Sequence, residues 1–348
     1  MIVVLQEDLF ADEATDDVAL ISVVCDSRGR YKVQTRPAYR SRGETALHRW
    51  LGEQSPKVRG AAELVLAEGL KAAEYGHAGG AREPMVLVER REAPSWPDDL
   101  RHGAIRLPLA AARDLLARPL RLLLENGRND WGFLGKVVPS AWKARWDRAV
   151  KERWIEAENG GGITEMRKII LQQIAPDDAR RLRTWAMFDS DGRRAGDSSD
   201  AARATRAACE QWGVAYHPLR RRAIENYVPK EALFDWAQRR RKRDDREEKL
   251  LRVRAYCAMT EEQRHYFNMK EGFVGDERSD QGVCDIYDNP FVDRLGPLRQ
   301  GLNKDLAQEI WGDNPYDGPT YEISEACLVS DGFEPERAVV FQSIFSRL

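Results

Sequence analysis

The ten residues Arg183 to Gly192, RTWAMFDSDG, decide how the chain is read. An apolar run ends in two carboxylates one residue apart, followed by a glycine, where the backbone must turn. A strand places residues i and i+2 on one face, so Asp189 and Asp191 are expected to converge on one point, most economically a divalent cation. The plainer alternative is that Asp, Ser and Gly build the turn that ends the strand. What the neighbouring segments bring to the same place decides between the two.

Working outward, apolar segments alternate with helical patterns. PLRLLLEN (Pro119 to Asn126) reads as a buried strand ending at Glu125, and RWIEAENGGG (Arg153 to Gly162) as a strand running into a glycine turn. VAYHPL (Val214 to Leu219) reads as a fourth strand, after the N-capped helical stretch SSDAARATRAACEQWG. The helices LPLAAARDLLA, DWGFLGKVVPSAWKARWDRA and ITEMRKIILQQI fall before and between these strands. Strands separated by helices of this length imply βαβ units and a mainly parallel sheet, whose ligand site lies at the carboxyl ends of the strands. Three predicted strands end in something chemically pointed: Glu125, the Glu158-to-Gly162 turn, and the Asp189/Asp191 pair.

This order resembles the TOPRIM domain, the metal-binding α/β module of topoisomerases, primases and the overcoming-lysogenization-defect nucleases. That family carries a Glu at the end of its first strand, commonly as E-G-x-x-D, a glycine turn after the second, and D-x-D after the third. The matching residues are Glu125, Gly160 to Gly162, and Asp189 with Asp191; Asp130 follows Glu125 by five residues instead of four. The likeness covers about residues 118 to 235, and HPLRRRAIENYVPKEAL, after the fourth strand, looks like the Arg-x-x-Glu-Asn-Tyr segment of such nucleases. It implies a further acid at Glu225, phosphate contacts from Arg220, Arg221 or Arg222, and a charge-stabilising lysine, either Lys230 or Lys270. It also implies a nuclease acting on nucleic acid, DNA before RNA. Nucleases of this kind often carry an ATPase domain; no P-loop occurs here, so a separate ATPase or sensor is expected to license the activity, as in bacterial anti-phage systems.

Phosphodiester hydrolysis needs an activated water, a Lewis acid on the non-bridging oxygens and charge relief at the leaving oxygen, which two divalent ions about 4 Å apart supply together. Hard oxygen ligands suit Mg²⁺ or Mn²⁺, and Glu125, Asp130, Asp189 and Asp191 are the expected ligands. No clustered His or Cys points to zinc. A second resemblance is to haloacid-dehalogenase-like phosphatases, through FDSDGR, Lys270 and GDERSD (Gly275 to Asp280), which would make Asp189 a phosphorylated nucleophile. Arg193 stands where that motif has Thr, and Glu125 would have no role. A sheet with an incomplete metal site would instead make a non-catalytic binding subunit.

The 348 residues, 42% hydrophobic and 32% charged with a net charge of −2, describe a globular chain and exclude a uniformly basic nucleic-acid coat, so any such contact is local. One local run is Arg239 to Arg243, RRRKR, with Arg239, Arg240 and Arg241 as candidate phosphate contacts; acids follow at helical spacing and can pair with it. Cys25, Cys209, Cys257, Cys284 and Cys327 are far apart and form no C-x-x-C, arguing against a disulfide framework and for a reducing, cytoplasmic setting. No segment has the length of a membrane span or the features of a signal peptide.

The expected organisation is an N-terminal α+β docking region (1–106), a TOPRIM-like domain (107–238) and an α-rich C-terminal region (239–348), with homo-oligomerisation allowed. In the first, VALISVVCDSRG and RYKVQTRP read as strands, GETALHRW onward as helix, EPMVLVERRE as a strand, and His48 and His77 as isolated. Asp276, Asp280, Asp285 and Asp288 do not match an EF-hand loop and read as surface acids. Trp131, Trp142, Trp146 and Trp154 read as core residues, and no internal sequence repeat is visible.

Overall fold

The computed structural model describes residues 1–11, 15–40, 44–75, 83–97, 104–240, 242–278, 282–287, 296–312, 321 and 323–348. His77, Arg241, Asp280 and Asp288 lie outside the described residues.

Among the described residues, eight strands form two sheets. In the first, β1 (Ile2–Gln6), β2 (Lys32–Arg36), β3 (Met85–Val88) and β4 (Ile105–Leu107) lie in the order β2-β1-β3-β4. In the second, β5 (Leu120–Leu124), β6 (Ile155–Asn159), β7 (Thr184–Phe188) and β8 (Ala215–Pro218) lie in the order β6-β5-β7-β8. Every neighbouring pair is parallel. The chain is thus α/β, with two parallel four-stranded sheets flanked by helices.

The N-terminal region is therefore parallel α/β and not the expected α+β. The difference lies in VALISVVC, which reads as a strand from its β-branched content but forms the helix Asp17–Cys25. Asp16 caps it by accepting the Ala19 N–H at 3.1 Å, and Ala19, Leu20, Val23 and Val24 bury one face at helical spacing. Topology demands it: β1 and β2 are parallel neighbours, so the link between them must cross over. Tertiary context overrides the local propensity.

Side chains of the second sheet alternate between two cores. Leu120, Leu122 and Leu124 of β5, with Trp185 and Met187 of β7, face the helices Gly127–Val137 and Ser140–Lys151 and the helices that follow residue 230. Leu123, Ala186 and Phe188 face Ile163–Ile169 and Asp200–Trp212. Burial on both faces explains the apolar runs Leu122 to Leu124 in β5 and Trp185 to Phe188 in β7, while Arg121 of β5 stays exposed. The helix Leu109–Ala117, expected with the second sheet, puts Ala112, Leu115 and Leu116 into the core of the first. Trp146 is buried, and Trp131, Trp142 and Trp154 pack against the same core. Among the described residues, no helix is long and apolar enough to cross a membrane.

Candidate functional site

The carboxyl ends of β5 and β7 are adjacent, because Leu124 pairs with Met187. The residue after each strand is acidic, so Glu125 and Asp189 meet at the rim: the Asp189 N–H donates to Glu125 Oε2 at 3.2 Å. A one-turn 3₁₀ helix, Ile224–Tyr227, closes over them, and the Ile224 N–H donates to Asp189 Oδ1 at 3.3 Å. The same turn delivers Glu225, which is 2% exposed. Asp130 arrives from the first turn of Gly127–Val137, where its Oδ2 accepts the Asn126 N–H at 2.8 Å, so the extra residue in its spacing from Glu125 does not keep it away.

The glycine turn after β6 makes the opposite wall. The Gly160 N–H donates to Leu124 O at 2.6 Å and the Gly162 N–H to Glu125 O at 3.0 Å, drawing the turn against the end of β5. A Cβ on Gly160 would lie 2.1 Å from Met166 Cγ and 2.8 Å from Leu124 O, so only glycine fits. Gly161 and Gly162 take φ of +68° and +95°, which a side chain would strain. The cleft, about 330 Å³ and open on one side, is lined by Glu125, Asp130, Asp189, Glu225 and Lys270 among others. Of the two candidate lysines, Lys270 is the one that enters it, with Nζ 3.1 Å from Glu225 Oε1.

Crowded acids away from water resist ionisation. Burial raises Asp189 well above the usual carboxylate range, and the charges of Glu125, Glu225 and Asp130 add to it. Burial likewise raises Glu125, opposed by the Asp189 N–H and reinforced by Asp191. Asp130, 4% exposed, is pushed up to about 7 by burial, against the Asn126 hydrogen bond and with the charges of Glu125 and Glu225. Burial alone would lower Lys270, but Glu225, Asp189 and Glu125 outweigh it and raise its pKa. Glu225 Oε2 is buried and has no hydrogen-bond partner.

Asp191 departs from the expected strand geometry. β7 stops at Phe188, and Asp191 has φ of +48°, so the two-residue period no longer governs where its side chain goes. It stands exposed in an adjoining cavity of about 270 Å³, which it shares with Glu225, Lys270 and Arg222. Ser190 between the two acids is structural: its hydroxyl donates to Arg221 O at 2.8 Å and accepts the Gly192 N–H at 3.2 Å.

The arginines do not gather as expected. Arg221 is buried, donating to Asp331 Oδ2 and to Asn226 O at 2.7 Å each, with its guanidinium over the Tyr227 ring. Arg222 grips Asp276 through both oxygens, at 2.9 and 3.2 Å. Arg240 is tied to Glu309 and stacks on Trp236, while Arg239 pairs with Asp235 at 2.6 Å. Arg220 remains exposed. Acids of the chain thus pair with Arg221, Arg222, Arg239 and Arg240, the Arg239–Asp235 pair lying on the surface.

Sequence reasoning missed three features. Asn126 is the N-cap of Gly127–Val137, an Asn-before-helix signal legible in ENGRND. Asn159 Oδ1 accepts the Gly127 and Gly161 N–H groups at 3.0 and 3.3 Å, binding two walls of the cleft together. Glu336, 5% exposed, accepts from the Tyr227 hydroxyl at 2.7 Å and the Arg220 N–H at 2.8 Å, with His217 Nε2 at 2.9 Å, and so anchors the segment that carries Glu225. No local signal marks Glu336.

Among the described residues, no group of three or more His, Cys, Asp or Glu side chains is placed to hold a metal ion. Comparison of the chain with protein-family models, with curated proteins and with solved structures found no match.

Proposed function

We propose that the chain is a metal-dependent nuclease, built on a TOPRIM-like second sheet and hydrolysing phosphodiester bonds of nucleic acid, DNA before RNA. One observation carries this: four carboxylates and one lysine line a single cleft, and Glu225 Oε2 is buried there without a partner. A buried, unpaired carboxylate oxygen beside other acids is costly, and a divalent cation removes both the repulsion and the missing contact. The hard oxygen donors of Glu125, Asp189 and Glu225, with Asp130 and Asp191 beside them, fit Mg²⁺ or Mn²⁺. Such ions are commonly held by one or two carboxylates, with water and substrate phosphate completing the shell. When bound, the metal would supply a Lewis acid and an activated water. The chain's own part is to hold Glu125 against the Asp189 amide, Asp189 against the Ile224 amide, and the Lys270 ammonium where a phosphate's charge would build up.

The phosphatase alternative is weaker, because Asp276, its expected downstream acid, is gripped by Arg222 and Glu125 would stand idle. A non-catalytic binding subunit is favoured by the absence, among the described residues, of a group of three such side chains placed to hold an ion. Nicking of supercoiled plasmid with Mg²⁺ or Mn²⁺ separates the three, with Asp189→Ala, Glu125→Ala and chelator as controls and p-nitrophenyl phosphate as a side assay. Nicking lost in both variants, with folding intact, supports the nuclease. Phosphomonoester hydrolysis dependent on Asp189 but not Glu125 supports the phosphatase. No turnover of either substrate leaves the binding subunit.

A further inference from the structure

We propose that a basic groove running away from the cleft binds the phosphodiester backbone of the DNA strand. This rests on the nuclease reading and extends it to how the substrate lies. Three cavities adjoin: the acidic cleft, the cavity holding Asp191, and a groove of about 350 Å³ whose charged residues are Lys249, Arg252, Lys270, Arg278, Lys304 and Glu271. Lys270 lines all three, and Lys304 and Glu271 line the last two, so the track is continuous. Along it the lining changes from four carboxylates to five cations with one acid, the arrangement that seats a polyanion while a cation-binding centre stands at one end.

Part of the basic charge is held in place by neutral groups and part is paired with acids. Lys249 and Arg252, three residues apart on the helix Arg243–Cys257, share a face. Lys249 Nζ donates to Leu302 O at 3.2 Å and Arg252 Nη1 to Gly301 O at 3.0 Å, so neutral carbonyls hold part of each head group in place; Arg252 also meets Glu248. Among the described residues, Arg278 makes no ion pair, and Lys304 reaches Glu271 only at 3.7 Å with its side chain 75% exposed. Burial, with Arg252 nearby, lowers the Lys249 pKa, a cost that an incoming phosphate would relieve. The Arg239–Arg240 stretch that the sequence favoured is paired with acids; this groove, assembled from three separate segments, pairs Arg252 with Glu248, Lys270 with Glu225 and Lys304 with Glu271, and among the described residues leaves Lys249 and Arg278 without an ion pair.

The test is binding of a fluorescein-labelled single-stranded oligonucleotide to the full chain in chelator, across a salt series, with plasmid nicking run in parallel. The double variant Arg278→Gln/Lys304→Gln, with both positions on the surface, is the neutral probe, and the charge-reversed Arg278→Glu/Lys304→Glu is the stronger one. Loss of two phosphate contacts is expected to flatten the log–log salt dependence by about 1.4 and to weaken binding at least about tenfold at 0.1 M salt. Variants that bind as tightly and as steeply as the unaltered chain overturn the proposal, as does an unaltered chain that does not bind at low salt. The nuclease reading fails separately: strand binding that depends on the groove, with no nicking under either metal, removes the nuclease and leaves the groove.

Discussion

In the first sheet Glu7 follows β1 and Glu89 follows β3, the two central strands; in the second, Glu125 follows β5 and Asp189 follows β7 at the same two places. The strand order is shared, yet the acids meet different fates. Glu7 accepts the Ala46 N–H at 3.3 Å, and Glu89 is flanked by Arg91 and Arg106 at 3.1 and 3.0 Å. Glu125 and Asp189 face each other, joined by Asp130 and Glu225, with Lys270 as the cation in the cleft lining. Arginines are close at hand in the second sheet too, but Arg221 and Arg222 are turned to Asp331 and Asp276. A parallel sheet sets acids at a rim; whether they become a surface or a centre depends on where the neighbouring arginines are sent.

The largest expected effect tests that contrast directly. On the proposed nuclease reading, Asp189→Asn is expected to reduce metal-dependent plasmid nicking at least about a thousandfold, roughly 4 kcal/mol, while Glu89→Gln leaves it within about twofold. Comparable losses in both would erase the distinction between the rims.

Next comes pH. The folded-state pKa of Asp130, about 7, lies above its ordinary 3.8, so its contribution to stability is full below that ordinary value and is lost as pH rises through 7. In chelator, the unfolding free energy of the unaltered chain should therefore fall relative to Asp130→Asn between about pH 4 and 7, by at most on the order of 4 kcal/mol. Parallel curves would remove the crowding inferred for the cleft.

Removing the anchor should cost slightly less. Glu336→Ala strands the Tyr227 hydroxyl and His217 in the interior, with an expected loss of about 3 kcal/mol in denaturant unfolding. A loss under about 0.5 kcal/mol would mean the segment bearing Glu225 needs no such tie. The smallest effect belongs to the first sheet. Arg106 is half exposed, so Arg106→Gln should cost only about 0.5 kcal/mol and leave plasmid nicking unchanged.

Much of the candidate site was legible because its signals are local. β5 and β7 are apolar runs buried on both faces, each followed at once by an acid, and the glycine turn after β6 needs glycine for steric reasons visible in any chain. The helix at Asp17–Cys25 was not legible, since β-branched content argued for a strand and only the parallel pairing of β1 with β2 requires the crossover. Asp191 was misplaced because strand periodicity was carried past the end of the strand. The arginines were misjudged for a different reason: Asp331 lies 110 residues from Arg221, Asp276 lies 54 from Arg222, and Glu309 lies 69 from Arg240. The basic groove escaped notice likewise, its cations being spread from Lys249 to Lys304 with no run to catch the eye.

The tie between Tyr227 and Glu336 spans 109 residues, which bears on how the protein is made. Synthesis proceeds from residue 1 upward, so every acid of the cleft leaves the ribosome before Glu336 does. Until then the turn that carries Glu225 lacks its acceptor for the Tyr227 hydroxyl and the Arg220 amide. The turn that carries Glu225 thus gains this tie only after every acid of the cleft has been made.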